Sequence, residues 1–145
     1  MDMSTTGLET FDKTLRETNH WLRIVMDELH MESSKHAFAA LRAALLALRD
    51  RIGPAAALQL GAQLPMLLRG AYYENWRLAG TPIEERDVDG FIADVAGNLP
   101  AALRIDPEEA VRASFVALTE SLAPNESAKI ARLLPPDIRS LLPGA

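Results

Sequence analysis

ALRAALLALRDRIGP (residues 40–54), set beside AVRASFVALTESLAP (residues 110–124), is the stretch whose reading decides the fold. Both segments carry apolar side chains every three or four residues, which is the period of one face of an α-helix. Both end on a proline, which cannot continue a helix but suits the first position of the next one. The offset is 70 residues, and it extends in both directions. Laid on itself without a gap, the chain pairs residues 18–75 with 88–145, and eleven of the 58 pairs are identical. Trp21-Leu22 falls on Phe91-Ile92, Val25 on Val95 and Leu29 on Leu99. Leu64-Pro65 falls on Leu134-Pro135, and Arg69 on Arg139. The matches sit on helix breakers and on the apolar stripe, the positions that determine a helical fold. A period of 70 is too long for a solenoid unit. We therefore expect an all-α protein made of two tandem related four-helix modules packed into one helical domain, residues 1–145. The first repeat is expected over residues 8–76 and the second over 82–142.

Working outward, Phe11, Leu15, Leu22, Val25, Met26 and Leu29 predict a first helix over about residues 8–30, with that stripe facing the core. Ser33 or Ser34 is the expected N-cap of a second helix. Its stripe is Phe38, Leu41, Leu45, Leu48 and Ile52, with Arg42 and Arg49 off the seam. Gly53-Pro54 ends that helix and opens a third, and Pro65 separates the third from a fourth that runs to about Asn75. Thr81-Pro82-Ile83-Glu84 and Asp106-Pro107-Glu108-Glu109 each read as a capping box with proline at the first helical position. The acids Glu84, Glu85, Asp87 and Asp89 then suit a helix N-terminus, where the macrodipole favours them. No window alternates with period two, so no strand is expected.

Composition excludes several kinds of chemistry. The 145 residues contain no cysteine, which removes disulfides, thiolate nucleophiles and cysteine-ligated metals. The net charge of −5 disfavours nucleic-acid binding. A helix-turn-helix around Gly53-Pro54 would have to recognise DNA through Ala55-Ala56-Ala57-Leu58, which carries no basic side chain. The longest apolar run, Ala43 to Leu48, falls far short of the ~20 residues that span a bilayer. Residues 1–10 are polar and lack the pattern of a signal peptide, so the expected location is the cytoplasm, with no membrane partner. Glu17-Thr18-Asn19-His20 has the Glu-x-x-His spacing of di-iron bundles, but the second half has no histidine to complete such a site. No metal and no cofactor are expected. There is also no phosphate-binding glycine loop and no nucleophile elbow.

The densest polar and aromatic segment is Arg69-Gly70-Ala71-Tyr72-Tyr73-Glu74-Asn75-Trp76. It holds both tyrosines and one of the two tryptophans, and its counterpart 70 residues on keeps only the arginine. On a helix Arg69 shares a face with Tyr72 and Tyr73. Gln63, Arg69, Tyr72, Tyr73, Glu74 and Trp76 are the candidate binding residues, with no catalytic residue assigned. The segment reads in two ways. It could clamp the junction between modules, or it could wall a small binding surface with an arginine for an anion. The shared pairs Arg42/Arg112 and Arg69/Arg139 read first as ties between helices.

Leu60-Gly61-Ala62-Gln63-Leu64-Pro65-Met66-Leu67, Arg69-Gly70, Tyr72-Tyr73-Glu74 and Trp76 resemble the bacterial domain-of-unknown-function family 2267. So do Phe11-Asp12-Lys13-Thr14-Leu15, Asn19, Trp21-Leu22, Ala40-Leu41-Arg42-Ala43, Ile105-Asp106-Pro107-Glu108 and Ala110-Val111, and the likeness spans residues 8–142. One departure is Lys35-His36, at a helix start where the family's pattern leads one to expect acidic or amide residues. The resemblance implies a small all-helical cytosolic protein with no established activity, and it supplies no catalytic residues. The expected function is therefore a non-enzymatic protein-interaction or scaffold module, bound to a protein partner or to itself. The alternative is a small-ligand-binding protein or an enzyme of unfamiliar type, with a pocket near Arg69, Tyr72, Glu74 and Trp76.

Overall fold

Proline punctuates this chain. The computed structural model describes residues 6–84 and 87–144, and these form eight α-helices with no strand among them. They are α1 (Glu9–Leu29), α2 (Ser34–Arg49), α3 (Pro54–Ala62) and α4 (Met66–Tyr73), followed by α5 (Val88–Asn98), α6 (Pro107–Ser121), α7 (Pro124–Leu133) and α8 (Pro136–Arg139). Pro54, Pro107, Pro124 and Pro136 open α3, α6, α7 and α8, because a ring without an N–H loses nothing in the first turn. Pro65 and Pro135 stand at the N-caps of α4 and α8. Ser33 caps α2 by accepting the His36 N–H at 3.1 Å, and Asp106 caps α6 by accepting that of Glu109 at 3.0 Å. Helix α1 ends on His30 in the left-handed region (φ 53°), and the Met31 N–H closes back on the Met26 carbonyl.

Helix α2 lies at the centre. It packs on α1, α4, α5 and α6, and burial runs nearly all round it, from Ala37 through Leu48 to Arg49. An Ala/Leu composition allows this, since small and aliphatic side chains let helices approach on every side. Helix α1 lies on α6 and α5 lies on α2, so each long first helix packs on the second helix of the other half. A single hydrophobic cluster draws side chains from all eight helices, among them Trp21, Leu48, Leu60, Tyr72, Phe91, Phe115, Ile130 and Ile138.

Three expectations are corrected. First, residues 81–84 are not helical, and the helix begins at Val88 with Asp87 as its N-cap, accepting the Gly90 N–H at 2.8 Å. The Ile83 N–H donates instead to the Asp50 carbonyl at 2.7 Å, a contact between distant parts of the chain that outcompetes the local cap. Glu84 therefore precedes the helix, and Glu85 lies outside the described residues. Second, Phe11 is not in the core but is 48% exposed, because the buried face of the first turns of α1 runs through Asp12, Thr14 and Thr18. Third, α2 ends at Arg49 and not at Gly53, so Ile52 of the expected stripe lies past the helix; Arg49, off the seam as expected, is buried because α4 covers that side of α2.

Candidate functional site

The segment Arg69–Trp76 begins on α4; Arg69, Tyr72, Tyr73 and Glu74 have intramolecular polar partners, while the buried Trp76 Nε1 has no hydrogen-bond partner among the described residues. An α-helix leaves its last carbonyls without an intrahelical donor. Arg69 answers that need for α3: its guanidinium donates to Gly61 O and Leu64 O at 3.0 Å each and to Ala62 O at 3.4 Å. Arg139 does the same at the end of α7, donating to Ala131 O and Leu134 O at 2.9 Å and to Arg132 O at 3.5 Å. The end of α4 is served by Arg49, whose Nη1 donates to Tyr72 O at 2.8 Å and to Glu74 O at 3.0 Å. The Arg49 Nε also pairs with Asp50 at 2.8 Å.

Tyr72 is 1% exposed, and its hydroxyl donates to Ala57 O at 2.8 Å. Burial, reinforced by the neighbouring Tyr73, raises its pKa well above the ordinary tyrosine value. Tyr73 lies tilted on Tyr72 with ring centroids 5.0 Å apart and stacks on Trp76 at 5.7 Å. The Tyr73 ring lies where a Cβ on Gly61 would stand, so the glycine makes room for it. The Glu74 carboxylate is largely exposed and reaches Arg42 of α2 at 3.5 Å. Of the six candidate residues, Tyr72, Tyr73 and Trp76 form one run of ring contacts, Arg69 meets it at Gly61, and Glu74 pairs with Arg42 of α2.

Gln63 is not part of that run but adjoins it through Arg69. With Arg69 it lines an open cleft of about 550 Å³, whose other walls include Arg16, Glu17, His20 and Trp21 of α1 and Glu120 and Ser121 at the end of α6. Glu17 and His20 thus face the same cleft, as their i,i+3 spacing requires. Among the described residues no group of three His, Asp or Glu side chains is arranged to hold a metal ion.

A second feature lies beside this cleft. Phe11 and Leu15 of α1 meet Met66 and Leu67 of α4 around a shallow groove of about 250 Å³, whose remaining lining is Thr6 and Thr14. Phe11, Met66 and Leu67 are 48%, 47% and 48% exposed, and Leu8 is also exposed. Thr14 holds the two helices in register: its hydroxyl accepts the Leu67 N–H at 3.2 Å, capping α4 in place of Pro65, which has no side-chain oxygen. An apolar face shared by two helices is a common mark of a contact surface. It was missed in the sequence because Phe11 continues the core stripe of α1, and Met66-Leu67 continues the apolar run that opens α4. A sign of it is that residues 136–137, the counterparts of Met66-Leu67, are Pro136-Asp137, as expected if apolar side chains there are not needed for the core.

The sequence profile of a family described as "Uncharacterized conserved protein (DUF2267)" matches residues 18–141, well over half of the chain. No curated protein matches it.

Proposed function

Since the chain belongs to the DUF2267 family, whose description names no activity, we propose a function from its surface: this is a non-enzymatic self-association module that pairs through the α1–α4 face. The observation that carries the reading is the exposed apolar set Leu8, Phe11, Met66 and Leu67. Both signs of charge flank it: Lys13 and Glu17 of α1 and Arg69 of α4 share a cleft with Met66, and Glu9 follows Leu8 in the chain. A twofold contact between two copies sets such a mixed rim against itself, so that opposite charges meet. A nucleic acid or an anionic membrane would meet the acids as well as the bases. The reading takes the bacterial cytoplasm as its setting, and no helix among the described residues is long and apolar enough to cross a membrane.

The alternative, a ligand pocket built from Arg69, Tyr72, Glu74 and Trp76, has less to support it. The Arg69 guanidinium, the Tyr72 hydroxyl and the Glu74 carboxylate each have an intramolecular partner.

Sedimentation of the full chain across a concentration series tests the reading. The expected result is a reversible dimer, weakened at least about tenfold by Phe11→Lys with Met66→Lys, two exposed positions whose replacement leaves the core intact. A monomer at every concentration would overturn it, and so would an unchanged dimer in a folded double variant.

We further infer that the molecule is built from two related four-helix modules, residues 8–76 and 82–142. In support, α3 and α7 start 70 residues apart, as do α4 and α8. The Arg69 and Arg139 ties match carbonyl for carbonyl at the same offset. The packing is reciprocal too, α1 on α6 and α5 on α2.

A further inference from the structure

The link from α1 to α2 and the link from α5 to α6 border an open cleft of about 470 Å³, away from the α1–α4 face. Its basic lining is Lys35, Arg104 and the imidazole of His36, and no carboxylate lines it. That runs against the composition, which has 20 acidic side chains to 15 basic ones. Met31, Leu103 and Ile105 supply apolar lining, and Met31 and Ile105 are anchored against the core. Among the described residues the three basic side chains make no ion pair or hydrogen bond. Of the nearby acids, Asp106 accepts the Glu109 N–H and Glu108 pairs with Arg112, while the exposed Glu32 and Glu109 side chains stand outside the cleft lining.

Lys35 and Arg104, lining one cleft whose walls hold no carboxylate, create a local positive potential that a bound anion relieves. Arginine offers a planar fork to phosphate oxygens and lysine a compact point charge. A dianionic head suits this set better than a single carboxylate, and the apolar lining suits a compact hydrophobic group attached to that head. We infer that this cleft binds a phosphate monoester carrying a small apolar substituent. The volume lies within the range of small-molecule sites.

Phenyl phosphate is the probe, titrated into the full-length, isotope-labelled chain and followed by amide chemical shifts, with phenol and inorganic phosphate as controls at matched ionic strength. The expected result is saturable shifts at residues 35–36 and 103–105, weakened by added salt. Phenol should give none, and inorganic phosphate should bind about tenfold more weakly. Lys35→Gln with Arg104→Gln should lower the affinity by about tenfold or more, as expected for the loss of charge-assisted hydrogen bonds. Shifts confined to another surface would overturn the inference, as would inorganic phosphate binding equally well. An affinity unchanged in a double variant with the wild-type melting temperature would also overturn it. Should that variant fail to fold, the shift map of the unmodified chain decides alone.

Discussion

Tyr72 shows most directly how a single residue ties the site to stability. Its hydroxyl is buried and donates to Ala57 O, so the folded chain holds the neutral phenol and disfavours the phenolate. Its folded pKa is raised above the unfolded value of 10.0. The stability that this difference contributes is fully present below pH 10.0 and is lost as pH rises towards the folded value. Urea unfolding of the wild type should therefore weaken above about pH 10, by up to ~1.4 kcal/mol per pH unit from this group. Tyr72→Phe should cost about 1 kcal/mol at neutral pH, the worth of one hydrogen bond, and should flatten the alkaline slope. Wild type and variant losing stability in parallel above pH 10 would show that Tyr72 is not the group responsible. The sequence marked Tyr72 through its aromatic neighbours. It did not reveal that the ring is sealed under α3, because Ala57 lies fifteen residues away and on another helix.

At the scale of elements, the arginine ties explain how short helices persist. Helices α3 and α7, of nine and ten residues, are marginal alone, and their last carbonyls need donors. Arg69 and Arg139 supply them from the next helix, fastening each helix pair as a unit. Arg69→Met and Arg139→Met should each lower stability by about 1–2 kcal/mol, and the double variant should show nearly the sum, since the two ties share no partner. Denaturant midpoints test this, and a large effect at one site with none at the other would argue against equivalent roles in two modules. Helix starts were readable wherever a local signal dominates, at Pro54, Pro65 and the Asp106 cap. They were misread at Thr81-Pro82, where the competing partner, Asp50 O, is distant in the chain.

For the whole molecule, the two halves complete each other. Arg51, 2% exposed at the end of the second helix, pairs with Asp94 of α5 and lies over the Phe91 ring at 5.6 Å. Asn98 of α5 donates to Ala43 O of α2 at 3.2 Å. A fragment of residues 1–80 loses α5 and α6, the helices that cover α1 and α2. It should be poorly folded as a monomer, with weak dispersion of its amide resonances and no cooperative melt. Mixing it with residues 81–145 should restore helicity. A fragment that folds fully alone would show that the cross-packing is dispensable.

Local chemistry in the sequence determined the helical class, most of the helix ends and the positions of the repeated prolines and arginines, because caps, breakers and apolar period act within a few residues. Which faces those helices cover was decided only by the tertiary structure. Arg49 and Arg51 became buried ties and Phe11 an exposed side chain because burial depends on which helix arrives from elsewhere in the chain. By the same route Arg104, far along the chain from the adjacent Lys35 and His36, came to line one cleft with them. Periodicity names the apolar stripe on a helix, but only its neighbours determine whether that stripe, or the side opposite it, meets solvent.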